Sequence, residues 1–191
     1  MACNYRAGML DATLIEGNSP VNESAEHTEP DVAELYLRRQ TWVSTTPESV
    51  YALVSDVSAM GPLSPDVVWA RFDDGDGPFV GSWFTGHNRG SKGEWETRCK
   101  ITTAVPGVMF GWAVIVDAAI IGHWTYELAA QDEGTLVTET WQVHNWIPVL
   151  GASQDELLEL RSHTARSMER TLAALATSFT ATSFTAAPTE R

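Results

Sequence analysis

Residues 94–116 read EWETRCKITTAVPGVMFGWAVIV, and the pattern of this stretch decides the fold. In its first half Trp95, Thr97, Cys99 and Ile101 alternate with Glu94, Glu96, Arg98 and Lys100. After Pro106-Gly107 the alternation resumes, with Phe110, Trp112, Val114 and Val116 set against Met109, Gly111, Ala113 and Ile115. Successive side chains of a strand point to opposite faces, so each half reads as a strand and the first carries one apolar and one charged side. The Pro-Gly pair reads as the turn between them. Strands joined by so short a break pair antiparallel.

The same punctuation continues outward. Breaks at residues 73–77, 90–93, 106–107, Gly122 and 132–134 separate strand-length segments at about 67–72, 80–88, 94–104, 108–116, 122–129 and 135–144. Upstream, residues 36–44 are rich in β-branched and aromatic side chains and predict a further strand. Thr46 and Pro47 then supply an N-cap and a first-turn proline, and Val50, Leu53, Val54 and Val57 form one helical face. Gly61-Pro62 and Ser64-Pro65 end that helix. Downstream, Ser153 and Glu156 form a capping box, and Leu157, Leu160, Thr164, Met168, Leu172 and Leu175 recur every three or four residues. The expected fold is α+β: about seven antiparallel strands curved around one long C-terminal helix, with a ligand cavity between them.

The chain has 191 residues, enough for one domain with a conventional core. It carries 12 Lys and Arg against 25 Asp and Glu, a formal net charge of -13. Phosphate binding needs a clustered basic face, so nucleic acid is excluded as a general partner. Residues 1–34 hold Asp11, Glu16, Glu23, Glu26, Glu29, Asp31 and Glu34 against Arg6, without apolar periodicity, and are expected to be a disordered acidic leader. Residues 35–176 form the expected domain, and residues 177–191 a low-complexity tail within which ATSFT, first read at 176–180, is repeated at 181–185. Cys3 and Cys99 form no disulfide framework. No basic, apolar leader and no run of membrane-spanning length is seen, so no membrane span and a cytoplasmic location are expected.

Eight tryptophans are present, and Trp83, Trp95, Trp112, Trp124 and Trp141 fall inside the meander. Singly, each reads as a core residue. Together on a concave face they suit an aromatic-lined pocket with a few polar anchors. Strand parity supplies the anchors. Glu139 shares a face with Val137, Trp141 and Val143, where a carboxylate is costly unless it is paired or neutral. The alternative places Glu139 at a sheet edge, solvated or salt-bridged. Tyr126 shares a face with Trp124 and Leu128, so its hydroxyl is available to orient a ligand or donate a proton. Phe84, Gly86 and Asn88 are expected to point inward, and His87 outward. His87, His123 and His144 read as ordinary surface residues rather than bases.

Other motifs are missing from the sequence. There is no G-x-S-x-G elbow, H-E-x-x-H helix or P-loop. Gly75, Gly77 and Gly81 have the wrong spacing for a dinucleotide loop and precede a strand, and Asp73, Asp74 and Asp76 fit a hairpin turn better than a calcium loop. Neither a metal nor a nucleotide cofactor is therefore expected.

Several local sequences and their order resemble the START-like (SRPBCC) superfamily, in particular its polyketide cyclase/dehydrase branch. The pieces are PESVYALVSDV at 47–57 with residues 58–65 after it, VGSWFTGHNR at 80–89, residues 95–101 and 124–128, and GTLVTETW at 134–141. The resemblance implies a helix-grip fold whose cavity binds lipids, polyketides or other hydrophobic molecules. It implies no single reaction: some relatives are aromatase/cyclases and others carry ligands unchanged. Many relatives have a tryptophan ahead of the Ser64-Pro65 pair. This chain has Leu63, which alters the expected pocket entrance.

The expected function is binding of a hydrophobic, polyketide- or lipid-like small molecule by a protein of cyclase/dehydratase type, with Glu139 and Tyr126 as acid-base residues. Phe84, Asn88, Trp95, Thr97 and Cys99 are expected along one side of the ligand, and Phe110, Trp112, Trp124, Trp141 and Met168 along the other. The alternative is a carrier or sensor that uses the same pocket without chemistry. Oligomeric state and ligand identity stay open at this stage.

Overall fold

A computed structural model describes residues 29–90 and 93–180. The elements are β1 (Tyr36–Val43), α1 (Pro47–Ser55), α2 (Met60–Leu63), β2 (Val67–Phe72), β3 (Trp83–Gly90), β4 (Gly93–Val105), β5 (Met109–Val116), β6 (Ala119–Gln131), β7 (Gly134–Val143) and α3 (Gln154–Thr180). Strands β2 to β7 form an antiparallel meander, and β1 pairs with β7, giving one seven-stranded sheet of order β1-β7-β6-β5-β4-β3-β2. This is the antiparallel sheet that the alternation pattern predicted, in the helix-grip arrangement that the family resemblance implied.

Local chemistry sets the boundaries. The Thr46 hydroxyl accepts from Ser49 N at 3.3 Å and Pro47 opens α1, whose Val50 and Val54 are buried. At the start of α3, Ser153 Oγ accepts from Glu156 N at 3.3 Å. The Glu156 carboxylate completes the cap by accepting from Ala152 N at 2.6 Å, one residue earlier than the usual capping box.

Two strand starts differ from the expected ones. Gly81 has φ 97, and the bonds from Gly81 N to Ile101 O and from Ile101 N to Ser82 O set two residues opposite one in a β-bulge, so the regular ladder of β3 begins at Trp83 rather than near residue 80. The β5–β6 turn is Asp117-Ala118, both at positive φ, and Gly122 lies inside β6. There a Cβ would collide with the Gln142 carbonyl oxygen, so this glycine marks a close approach of backbones and not a turn.

The core has two parts. Valines of α1 and Leu172 and Leu175 of α3 pack on Phe84, Cys99, Ile101, Phe110, Tyr126 and Val137 of the sheet. Leu157 and Met168 of α3 pack on Leu35, Leu37, Trp141 and Val143. Helix α3 rests mainly on β1, at one side of the sheet.

The expected leader and tail fall mostly outside the described residues, at 1–28 and 181–191. Residues 29–34, assigned to the leader, are tied to α3: Asp31 N donates to Gln154 Oε1 at 3.0 Å and Arg161 Nε to the Glu34 carbonyl at 2.8 Å. At the other end α3 continues to Thr180, past the boundary expected at 176.

Candidate functional site

The ladder registers line the concave face with rows of side chains. One row runs Ile101, Trp112, Trp124, Trp141, Leu37, and the next runs Phe110, Tyr126, Glu139, Arg39. Trp112 is the hub of an aromatic chain: its ring centroid lies 5.8 Å from Phe84, 6.0 Å from Phe110, 6.1 Å from Tyr126 and 6.3 Å from Trp124. Trp124 continues it to Trp141 at 6.1 Å. Centroid separations of this kind are the favourable range for aromatic pairs. Trp112, Val114 and Trp124 are only half-buried, so the apolar strip is not sealed from solvent.

Glu139 sits against this chain with 3% of its surface exposed. Its strand lies between β1 and β6, which removes the sheet-edge alternative. Tyr126, 1% exposed, donates its hydroxyl proton to Glu139 Oε1 at 2.8 Å. Among the described residues, Glu139 Oε2 has no hydrogen-bond partner. Burial pushes the Glu139 carboxyl up to about 8, against the lowering effect of the Tyr126 hydrogen bond. Burial, and then the charge and hydrogen bonding of Glu139, raise the Tyr126 phenol well above its ordinary value of 10.0. Near neutral pH the pair is a neutral acid beside a neutral phenol, and the open oxygen can carry a donatable proton.

A second polar group lies on the same face. Asn88 Nδ2 donates to Thr97 Oγ1 and to the Gly86 carbonyl, both at 3.3 Å, and Thr97 Oγ1 donates to the same carbonyl at 3.4 Å. A Cβ on Gly86 would stand 3.1 Å from Thr97 Oγ1, so the glycine leaves room for this cluster.

The remaining expected site residues divide. Cys99 is buried in the core, and desolvation raises its thiol to about 12, so it is a packing thiol. Met168 is buried against Trp141, Leu35 and Leu37 in the second cluster. Trp95 is 40% exposed at the β3–β4 end, its ring against Gly90, and is not brought to the aromatic chain. Trp83, also counted in the meander, packs under the Arg98 and Lys100 cations. His87 stacks on Trp69 and pairs with Glu94 at 2.9 Å, and His123 and His144 share a 2.8 Å contact between ring nitrogens.

Sequence reasoning missed Arg39 and Glu169. Arg39 faces the concave side between Leu37 and Thr41, and its Nε donates to Glu169 Oε1 of α3 at 3.1 Å. The signal was the one that singled out Glu139, a charge on an alternating apolar face. It also missed the 3.0 Å contact of His163 Nε2 with Asp66 Oδ2, which ties α3 to the segment before β2. Two surface depressions, of about 410 and 380 Å³, flank α3. Their walls are Arg166, Glu169, Arg170 and Ala173 in one and Ala33, Glu34, Tyr36, Leu158 and Arg161 in the other. Both lie outside the aromatic strip. Among the described residues no three His, Cys, Asp or Glu gather to hold a metal ion, and no helix is long and apolar enough to cross a membrane.

Residues 37–180 match the model of a family described as polyketide cyclase/dehydrase and lipid transport. A Polyketide_cyc-like protein from Corynebacterium glutamicum is 27% identical, with a TM-score of 0.54 over 81% of this chain and 98% of that one. The di-domain ARO/CYC StfQ from the steffimycin biosynthetic pathway is 12% identical, with a TM-score of 0.63 over 78% of this chain and 51% of that one. The protein Ms6760 from Mycobacterium smegmatis is 16% identical, with a TM-score of 0.57 over 81% of this chain and 96% of that one. Identities as low as the last two show the shared fold alone. No curated protein matches the chain.

Proposed function

Since the chain belongs to the polyketide cyclase/dehydrase and lipid transport family, we propose that it binds a hydrophobic, oxygen-bearing small molecule of polyketide or lipid type along the aromatic strip and acts on it as a cyclase/dehydratase-type enzyme. One observation carries this reading: the buried acid Glu139 keeps one oxygen without a partner while Tyr126 occupies the other. A buried polar atom without a partner costs about 1–3 kcal/mol, a cost that a ligand hydroxyl or carbonyl removes.

In the proposed chemistry the rings around Trp112 hold a poly-β-keto chain folded, which brings its reacting carbons together. Asn88 and Thr97 hold a carbonyl oxygen. Neutral Glu139 donates its proton to the carbonyl oxygen attacked by the enolate carbon, which becomes a hydroxyl as the new carbon-carbon bond forms, or to that hydroxyl as it departs, with Tyr126 fixing the carboxyl group. The proton returns to Glu139 from the carbon acid of the substrate, and water leaves.

The test is turnover of a poly-β-keto mimic by Glu139→Gln alongside ligand binding. Loss of 10²-fold or more in rate with binding retained supports the assignment. An unchanged rate removes it. The family description also names lipid transport, and the aromatic strip would hold a lipid without any proton transfer. Native mass spectrometry followed by denaturing extraction separates the two readings, because a carrier yields its compound unchanged.

A further inference from the structure

On the concave face Glu139 has two direct cross-strand partners, Tyr126 on β6 and Arg39 on β1. Side chains paired in this way start from Cβ atoms about 4.5–5.5 Å apart, well within the span of an arginine. Tyr126 uses its hydroxyl on Oε1. Arg39 turns the other way: its Nε donates to Glu169 Oε1 at 3.1 Å and its Nη1 to the Arg38 carbonyl at 3.1 Å. The second oxygen of Glu139 has no partner although Arg39 stands opposite it in the ladder. Glu169 accepts from the Arg39 guanidinium instead.

We propose that Arg39 and Glu169 are positioning residues that set the proton inventory of Glu139: held by Glu169, Arg39 leaves Glu139 a neutral acid, and released from Glu169 it pairs with Glu139 and makes it a carboxylate. Arg39 is charged in both arrangements, so the proton that Glu139 gives up passes to solvent. The first arrangement donates a proton and the second accepts one. The switch deepens the acid-base reading of this site and rests on that reading for its effect on turnover.

The other ionisable groups on neighbouring elements are otherwise placed. From β6 there is Tyr126, whose phenol stays protonated. Helix α1, which covers β5 to β7, carries Glu48, lying against Gly107 in the β4–β5 turn, and Tyr51, edge-on to Phe110. Helix α3 adds Arg166 and Arg170, which with Glu169 line the depression of about 410 Å³. Glu169 has a side-chain exposure of 58%, so solvent reaches the carboxylate that holds Arg39. Substitution there removes a surface group and leaves the core untouched.

The experiment is a carboxyl-carbon NMR titration of the full chain labelled at glutamate, with Glu139 assigned by comparison with Glu139→Gln. In Glu169→Gln the Glu139 midpoint should fall by at least about one pH unit, the effect of an opposite charge brought within reach. Removing the charge of Glu169 lowers the midpoint slightly by itself, so the deciding variant is Arg39→Gln/Glu169→Gln, in which the midpoint should return to near the wild-type value. Glu169→Asp should keep it high. Equal midpoints in wild type and Glu169→Gln overturn the proposal, as does a midpoint that stays low in the double variant. If the midpoints move as expected while Glu139→Gln leaves turnover unchanged, the enzymatic reading fails and the switch stands.

Discussion

The Tyr126 hydroxyl and the Glu139 carboxyl meet at 2.8 Å across adjacent strands, both buried, and the pair shares one carboxyl oxygen while leaving the other open. Two ionisable side chains in such a place are retained at a cost to the fold, because neither can ionise cheaply.

That cost has a sign that can be measured. The folded value of Glu139, about 8, lies above its ordinary value of 4.5, so between these the folded chain holds a proton that the unfolded chain has lost. Stability from this group is complete below the unfolded value and falls as pH rises towards and through 8. The loss is on the order of a few kcal/mol by pH 9. Urea unfolding at pH 5, 7 and 9 should therefore show wild type weakening relative to Glu139→Gln, which has no proton to lose. Parallel stability curves for the two proteins would show that Glu139 ionises normally.

Cys99 gives an independent check on the interior. Its thiol is buried and held up to about 12, and the thiolate is the reactive form. In a Cys3→Ser background, alkylation of Cys99 at pH 8 should run at least about 10²-fold slower than that of a free cysteine and accelerate only as urea unfolds the domain. Rapid labelling of the native protein would mean that solvent reaches the space between Phe84 and Val114.

Much of this was legible in the sequence, and the reasons differ by element. Alternation exposed β4 because it sets an apolar face against a charged one, the Pro106-Gly107 break marked off β5, and capping residues exposed α1 and α3 because their side chains bond the first free amides. Glu139 and Tyr126 were legible for a related reason, polar residues on an apolar face. The β5–β6 turn was not, since Asp117 and Ala118 adopt positive φ without a glycine while Gly122 serves a backbone contact. Trp95 shares strand parity with Thr97 and Cys99, yet parity says nothing about how far along a strand the covering elements reach. The pairing of Arg39 with Glu169 joins residues 130 positions apart and depends on where α3 lies, which no local pattern encodes.

Gly134 tests the register on which the site depends. It closes the β6–β7 turn opposite Gln131, and a Cβ there would collide with the Val43 carbonyl oxygen and with the Trp42 ring, whose Nε1 donates to the Gln131 carbonyl. Backbone cannot yield as a flexible side chain can, so Gly134→Ala should cost about 2 kcal/mol or more, seen as a lower urea midpoint. The same collision pushes β1 away from β7, the pairing that sets Arg39 beside Glu139. Amide exchange should therefore quicken in β1 before it does in β4 and β5, which do not pair with β7. Uniform quickening through all seven strands would mean that β1 is not a separable edge, and an unchanged midpoint would mean that the turn has room the geometry denies it.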